Sequence, residues 1–319
     1  MNVLRSLRAI SEASGTGVVD WDRAAEAAKT STDPGSLDLT AADREGYAAD
    51  VRDARSRVRA VSGLEFDVPD AVEIQNRHHW IDASLTTFEN VMAPVEKVAT
   101  PALPDVSRVV NTGSMAVTLG FLARNVLGQY DPLLLADEPD ADHGLYFVHP
   151  NIVAAATELD VEYPRFRRWI AFHEVTHAAE FGAAPWLPAY LEARVEEGVG
   201  ALTAGGLNRE AFAELQLAMT AVEGYAELLM DRAFDDEYAD LRRKLDERRS
   251  GGTPVERLMR RLLGLGLKRR QYERGAAFFE QVADARGLEA ASVVWERPEH
   301  LPTNAELDHP ETWLVRVDP

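Results

Sequence analysis

Pro164-Arg-Phe-Arg-Arg-Trp-Ile-Ala-Phe-His173-Glu-Val-Thr-His177-Ala-Ala-Glu-Phe-Gly182 is the most informative run of this chain. Proline suits a first helical turn and glycine suits the position just past a helix end. Between them Phe166, Trp169, Ile170, His173 and His177 follow the i, i+3, i+4, i+7, i+11 spacing of one helix face. Both imidazoles therefore point inward, about 40° apart around the axis at roughly 100° per residue. Side chains one turn apart bring two ring nitrogens to a single divalent ion, and Zn²⁺ is the ion this H-E-x-x-H pattern takes. Glu174, between them, stands where a carboxylate can take a proton from a water on that ion. Two core histidines satisfied by hydrogen bonds are the competing explanation, and the intervening glutamate favours the metal.

A catalytic zinc site needs a third protein ligand and an open fourth position. The chain has no cysteine, so thiolate sites and disulfides are excluded and the ligands are nitrogen and oxygen. The metzincin pattern requires Gly at 180 and His at 183, where this chain has Glu180 and Ala183. That class is excluded. Glu223-Gly-Tyr-Ala-Glu227 lies in a helical segment with an apolar stripe of Phe212, Leu215, Met219, Val222, Ala226 and Met230. Glu223 is the preferred third ligand, with Glu227, one turn on, orienting a histidine from behind. Gly224 is expected to let this helix approach the metal helix closely. The rivals are Glu196 and Glu197, on a helix containing Leu191, Val195 and Val199.

The 319 residues carry 53 acidic and 34 basic side chains, a formal net charge of −19 that argues against nucleic acid or an anionic membrane surface as partner. Only 4 of the basic residues are lysines, and an acid excess with so little lysine points to a protein kept soluble at high salt. Hydrophobic residues make up 46% and charged ones 27%, a globular composition. Arg5 and Arg8 lie near the start, but no apolar run long enough for a signal peptide follows. The most apolar stretch, Val109 to Ala123, is interrupted by Asn111, Thr112 and Ser114 and falls short of the roughly 20 residues that span a bilayer. The expectation is a cytoplasmic protein.

Most of the chain reads as helix. Thr40 with Asp43 three residues later resembles a capping box opening a helix to about Ser62. Ala71 to Val98 and Asp105 to Leu127 read as further helices, with Gly113 and Gly120 permitting close helix approach. Pro132-Leu-Leu-Leu-Ala136 and Leu145-Tyr-Phe-Val148 flank the turn-rich Asp137 to Asp142, a predicted β-hairpin. Helices return from Pro164 onward, and Ser250-Gly-Gly-Thr-Pro254 is the clearest internal break. The expected fold is mainly α (α+β), with residues 1–130 as a helical lobe and 131–319 as a metal-bearing lobe packed into one unit.

With these motifs in hand, the chain resembles the zincin-like metalloproteases or hydrolases whose members include coenzyme F-420 biosynthesis-associated proteins. The resemblance runs through Trp21-Asp22, Gly128-Gln-Tyr-Asp-Pro132, His173 to His177, Pro185-Trp-Leu187 and Glu223 to Glu227 with Met230-Asp231. It continues in Arg260-Arg-Leu-Leu-Gly264, Arg270-Gln-Tyr272, Leu301-Pro-Thr303 and Trp313. It implies a mostly helical, multi-helical zincin-like fold with a metallopeptidase signature acting on a peptide or other carbonyl-containing substrate. It names no substrate, and its link to the deazaflavin coenzyme leaves a non-peptidase zinc-binding protein as the alternative. Tyr225 stands where the family pattern usually has His, and a phenol does not replace an imidazole as a base at neutral pH.

Other groups have two readings each. His78-His79-Trp80 reads as structural, because adjacent helical residues diverge by about 100°. Leu145 to Val148, just ahead of His149-Pro150, is either a plain hairpin strand or one that pairs with extended substrate. Tyr225, Tyr272 and His300 are candidate oxyanion donors. Arg260-Arg261 and Lys268-Arg-Arg270 are either a solvated helix face or a grip for an anionic group.

Overall fold

The computed structural model describes residues 3–68, 72–98, 103–131, 144–203, 208–234, 238–250 and 268–319. Its first helices are α1 (Val3–Ser11), α2 (Trp21–Ser31) and α3 (Ala41–Ser62), followed by strand β1 (Val72–Gln75), α4 (Arg77–Val98) and α5 (Pro104–Asn125). Strands β2 (Gly128–Asp131) and β3 (Gly144–Val148) lead into α6 (His149–Glu158), α7 (Tyr163–Ala183), α8 (Leu187–Thr203) and α9 (Arg209–Ala233). Then come α10 (Tyr238–Ser250), α11 (Lys268–Arg286), α12 (Leu288–Ser292), two short 3₁₀ turns and α13 (Pro310–Val317). The fold is mainly α with one small sheet.

These elements gather into two compact units, one of Met1–Thr40, Pro69–Ala155 and Val195–Arg209, the other of Ala41–Val68, Ala156–Arg194 and Glu210–Pro319. A single cut near residue 130 does not separate them, because α3, early in the chain, packs along α7. Its buried residues Tyr47, Asp50, Val51, Ala54 and Val58 form one helical face. Arg167 of α7 pairs with Asp50 at 2.6 Å, with its guanidinium over the rings of Tyr47 and Tyr163. Arg168 reaches Asp53 at 2.7 Å.

The first unit packs around Trp21, Ala24, Ala25 and Ala28 of α2 against Ala116, Leu119 and Ala123 of α5, with Trp80 and Ile81 of α4. Small side chains let α2 and α5 come close; a Cβ at Gly120 would lie 3.1 Å from Thr32 Oγ1. Asp20 caps α2, accepting from the Arg23 N–H at 3.1 Å. The sheet has the order β1-β3-β2, with β1 parallel to β3 and β2 antiparallel to it.

That sheet corrects two expectations. Residues 72–75 were expected to open a helix and instead form β1, paired Val72↔Leu145 through Gln75↔Val148. β3 does form a hairpin, but with Gly128–Asp131, paired from Gly128↔Phe147 to Asp131↔Gly144. The run Pro132–Ala136, the Asp137–Asp142 turn, most of the 250–254 break and Arg260-Arg261 lie outside the described residues, as do the side chains of Lys268 to Tyr272. Because β3 is hydrogen-bonded on both sides, Leu145 to Val148 has no free edge for an extended peptide. It is a structural strand. Among the described residues no helix is long and apolar enough to cross a membrane.

Candidate metal centre

Helix α7 is buried along Phe166, Trp169, Ile170, Ala171, Phe172, Val175, Ala178 and Ala179. Pro164 sits in its first turn, as read from the sequence. Gly182 does not end it: the helix runs to Ala183, and a Cβ at 182 would press to 2.8 Å from Phe66 Cβ. The glycine serves close packing rather than termination.

The two imidazoles converge. His173 Nε2 and His177 Nε2 lie 3.3 Å apart, and two nitrogens on one tetrahedral zinc, at about 2.0–2.1 Å each, are separated by about 3.3–3.4 Å. The His173 ring stacks on Trp169 with centroids 5.7 Å apart, and Trp169 stacks on Phe166. Glu223 of α9 brings its Oε2 to 4.0 Å from His177 Nε2. One ligand atom each from His173, His177 and Glu223 lies within 4.8 Å of the others. Glu223 Oε2 is buried and accepts no hydrogen bond. An orphaned buried carboxylate oxygen facing two ring nitrogens is what a divalent cation satisfies, so the residues fit the metal. This is the group of three possible ligands found among the described residues, and it contains neither Glu196 nor Glu197.

Glu180, which spacing alone did not single out, completes the arrangement. It is fully buried, and its Oε2 accepts a hydrogen bond from His177 Nδ1 at 2.8 Å. Burial pulls the His177 imidazolium down, but the Glu180, Glu223 and Glu174 carboxylates outweigh it and push its pKa up to about 9. Burial pushes Glu180 up to about 7, against the pull of His177 and with a further push from Glu223. Three carboxylates thus surround the His177 imidazole, an acidic environment that favours positive charge at this point. Glu174 is 7% exposed.

The other sequence candidates are engaged elsewhere. Glu227 Oε1 accepts from the Tyr238 hydroxyl at 2.6 Å and meets Arg242 Nε at 2.8 Å. Tyr225 is fully buried, its hydroxyl 2.6 Å from Ser292 Oγ and its ring edge-on to Phe279 and Trp295; burial raises its phenol pKa well above the usual value. His300 donates from Nδ1 to the Val293 carbonyl at 2.8 Å and accepts from Arg297 at Nε2, a structural tie. His78 is bound to the Thr32 carbonyl at 2.8 Å and His79 is exposed. Gly224 faces α11 rather than the metal helix: a Cβ there would overlap the Gly275 backbone and lie 2.8 Å from Ala276 N.

The sequence profile of the zincin-like metallopeptidases matches residues 19–204 and 198–314, nearly the whole chain. The chain belongs to that family. This zincin-like protein is also similar to a solved structure from Chloroflexus aurantiacus, a provisionally assigned hydrolase described as having a novel fold. The two share 32% identity over 94% of this chain and 99% of that one, with a TM-score of 0.78. No curated protein matches the chain. A zincin-like family, a hydrolase neighbour and a His173–His177–Glu223 group able to hold a metal agree on one chemistry.

Proposed function

We propose that this protein is a zinc-dependent hydrolase of the peptidase type, with His173, His177 and Glu223 as the zinc ligands. The observation that carries the reading is the unsatisfied, buried Glu223 Oε2 placed among two converging imidazoles. When bound there, zinc lowers the pKa of a coordinated water toward about 7 and polarises a substrate carbonyl. Glu174 acts as general base: its carboxylate accepts the water's proton and returns it to the nitrogen of the leaving amine. Glu174 is next to His173 in sequence and its charge is felt at His177, which supports that assignment. Largely buried, it faces little competition from bulk water for its proton.

The test is metal content and hydrolysis measured together. Protein purified without added metal should carry zinc, and His177→Ala should lose it. Glu174→Gln should retain zinc and lose hydrolysis of a broad peptide library by about 10²–10⁴-fold, the usual worth of a general base. A wild-type chain that holds zinc and cleaves no peptide or ester would replace the peptidase reading with a non-hydrolytic zinc protein. Absence of zinc would remove both.

A further inference from the structure

Position 180 is where this chain departs from the metzincin pattern: glutamate stands where glycine would let the chain turn away. Helix α7 instead continues through Ala183. The extra turn carries Glu180 on the same face as the two histidines, three residues beyond His177 and seven beyond His173. Its carboxylate is fully buried, and Oε2 is 2.8 Å from His177 Nδ1, while His177 Nε2 faces His173 Nε2 at 3.3 Å. The geometry points to Glu180 as a positioning residue that holds His177 as its Nδ1–H tautomer, leaving the Nε2 lone pair free for the metal. The functional motif of this helix is then His173-Glu174-x-x-His177-x-x-Glu180, with ligand, base, ligand and orienting carboxylate in one element.

The physical case rests on cost. Burying a carboxylate is costly unless it is partnered, and Glu180 Oε2 meets the ring nitrogen opposite the one facing the ligand cluster. An imidazole whose far nitrogen is pinned cannot flip or change tautomer, so its near nitrogen is presented already oriented. Glu227, one turn beyond Glu223, bonds Tyr238 and Arg242, whereas Glu180 bonds Nδ1 of His177 directly.

This inference rests on the zinc reading, and its test separates the two. Zinc affinity is measured by competition with a chromogenic chelator for wild type, Glu180→Ala and Glu180→Gln. In parallel, ¹⁵N NMR of the zinc-loaded wild type reports the His177 tautomer. Glu180→Ala should bind zinc about 10–100-fold more weakly. Glu180→Gln, whose amide oxygen still accepts from Nδ1–H, should recover most of that loss, and His177 should carry its proton on Nδ1. Affinity of Glu180→Ala equal to wild type, a glutamine variant as weak as the alanine one, or a proton on Nε2 overturns the proposal. If the alanine variant does not fold, the tautomer and the glutamine variant decide. A wild-type chain that binds no zinc overturns the proposed function and this inference together, whereas zinc held equally well without Glu180 overturns this inference alone.

Discussion

At the scale of single residues, the site is a concentration of buried acid. Glu174, Glu180 and Glu223 act on the His177 imidazole, and Glu223 Oε2 is buried without a hydrogen-bond partner. A buried acceptor without a partner costs about 1–3 kcal/mol, a cost that a bound cation would offset. Replacing Glu223 by the similarly shaped, apolar Met should therefore have opposite effects in two conditions. Without metal, Glu223→Met should unfold at a higher temperature than wild type, by about 1–3 kcal/mol of stability. With zinc present the order should reverse, because only wild type gains stability from binding. Calorimetric melting of both proteins with chelator and with zinc checks this; a variant that is less stable in both conditions would show that Glu223 is already satisfied without a cation.

At the scale of elements, α9 is the member that α7 and α11 share. Glu223 faces α7 and the adjacent Gly224 faces α11, where Gly275 meets it backbone to backbone. Gly224→Ala would bring about 1 kcal/mol of helix propensity. The added methyl, however, lands on backbone that has no rotamer with which to yield, and overpacking costs about 1–3 kcal/mol or more. The net expectation is a loss of stability in denaturant unfolding, with the same sign for Gly275→Ala; equal or greater stability would mean that the helices part without penalty. At the C-terminal end, Glu306 receives the Thr303 N–H at 2.8 Å and Arg316 Nε at 2.6 Å. Burial works against the Glu306 charge, but Arg316 and Thr303 prevail and hold its pKa below the usual value. A depressed carboxylate stabilises the fold above its unfolded pKa, near 4.3, and loses that contribution as pH falls through the lower folded value. Glu306→Gln should accordingly melt earlier than wild type at pH 7, with the gap closing in acid below pH 4. A gap independent of pH would mean that the charge is irrelevant.

At the scale of the whole molecule, the net charge of −19 acts on everything at once. Exposed like charges repel in the folded chain, and the Debye length shrinks from about 10 Å at 0.1 M to about 3 Å at 1 M salt. The melting temperature should rise between dilute buffer and molar salt. Full stability in dilute buffer would show that local ion pairs, such as Lys29–Asp82 and Arg274–Asp308, already balance the field.

Sequence by itself determined a helical protein with H-E-x-x-H on the inward side of one helix, because the convergence of side chains four apart follows from a fixed advance of about 100° per residue. Helix α5 was legible for the same reason, expected over 105–127 and found over Pro104–Asn125. Tertiary structure alone decided what depends on a second element. It placed Glu223 by the two histidines, out of many glutamates of similar local setting. It made residues 72–75 a strand because β3 lay alongside, and closed β3 to substrate by pairing both of its edges. It turned Gly182 toward Phe66 and Gly224 toward Gly275. Glu180 lay between: its spacing was visible, but only the fold showed that its carboxylate is sealed from water and must find its partner in His177. Local periodicity fixes which side of a helix a residue occupies; docking against other elements fixes what that side meets.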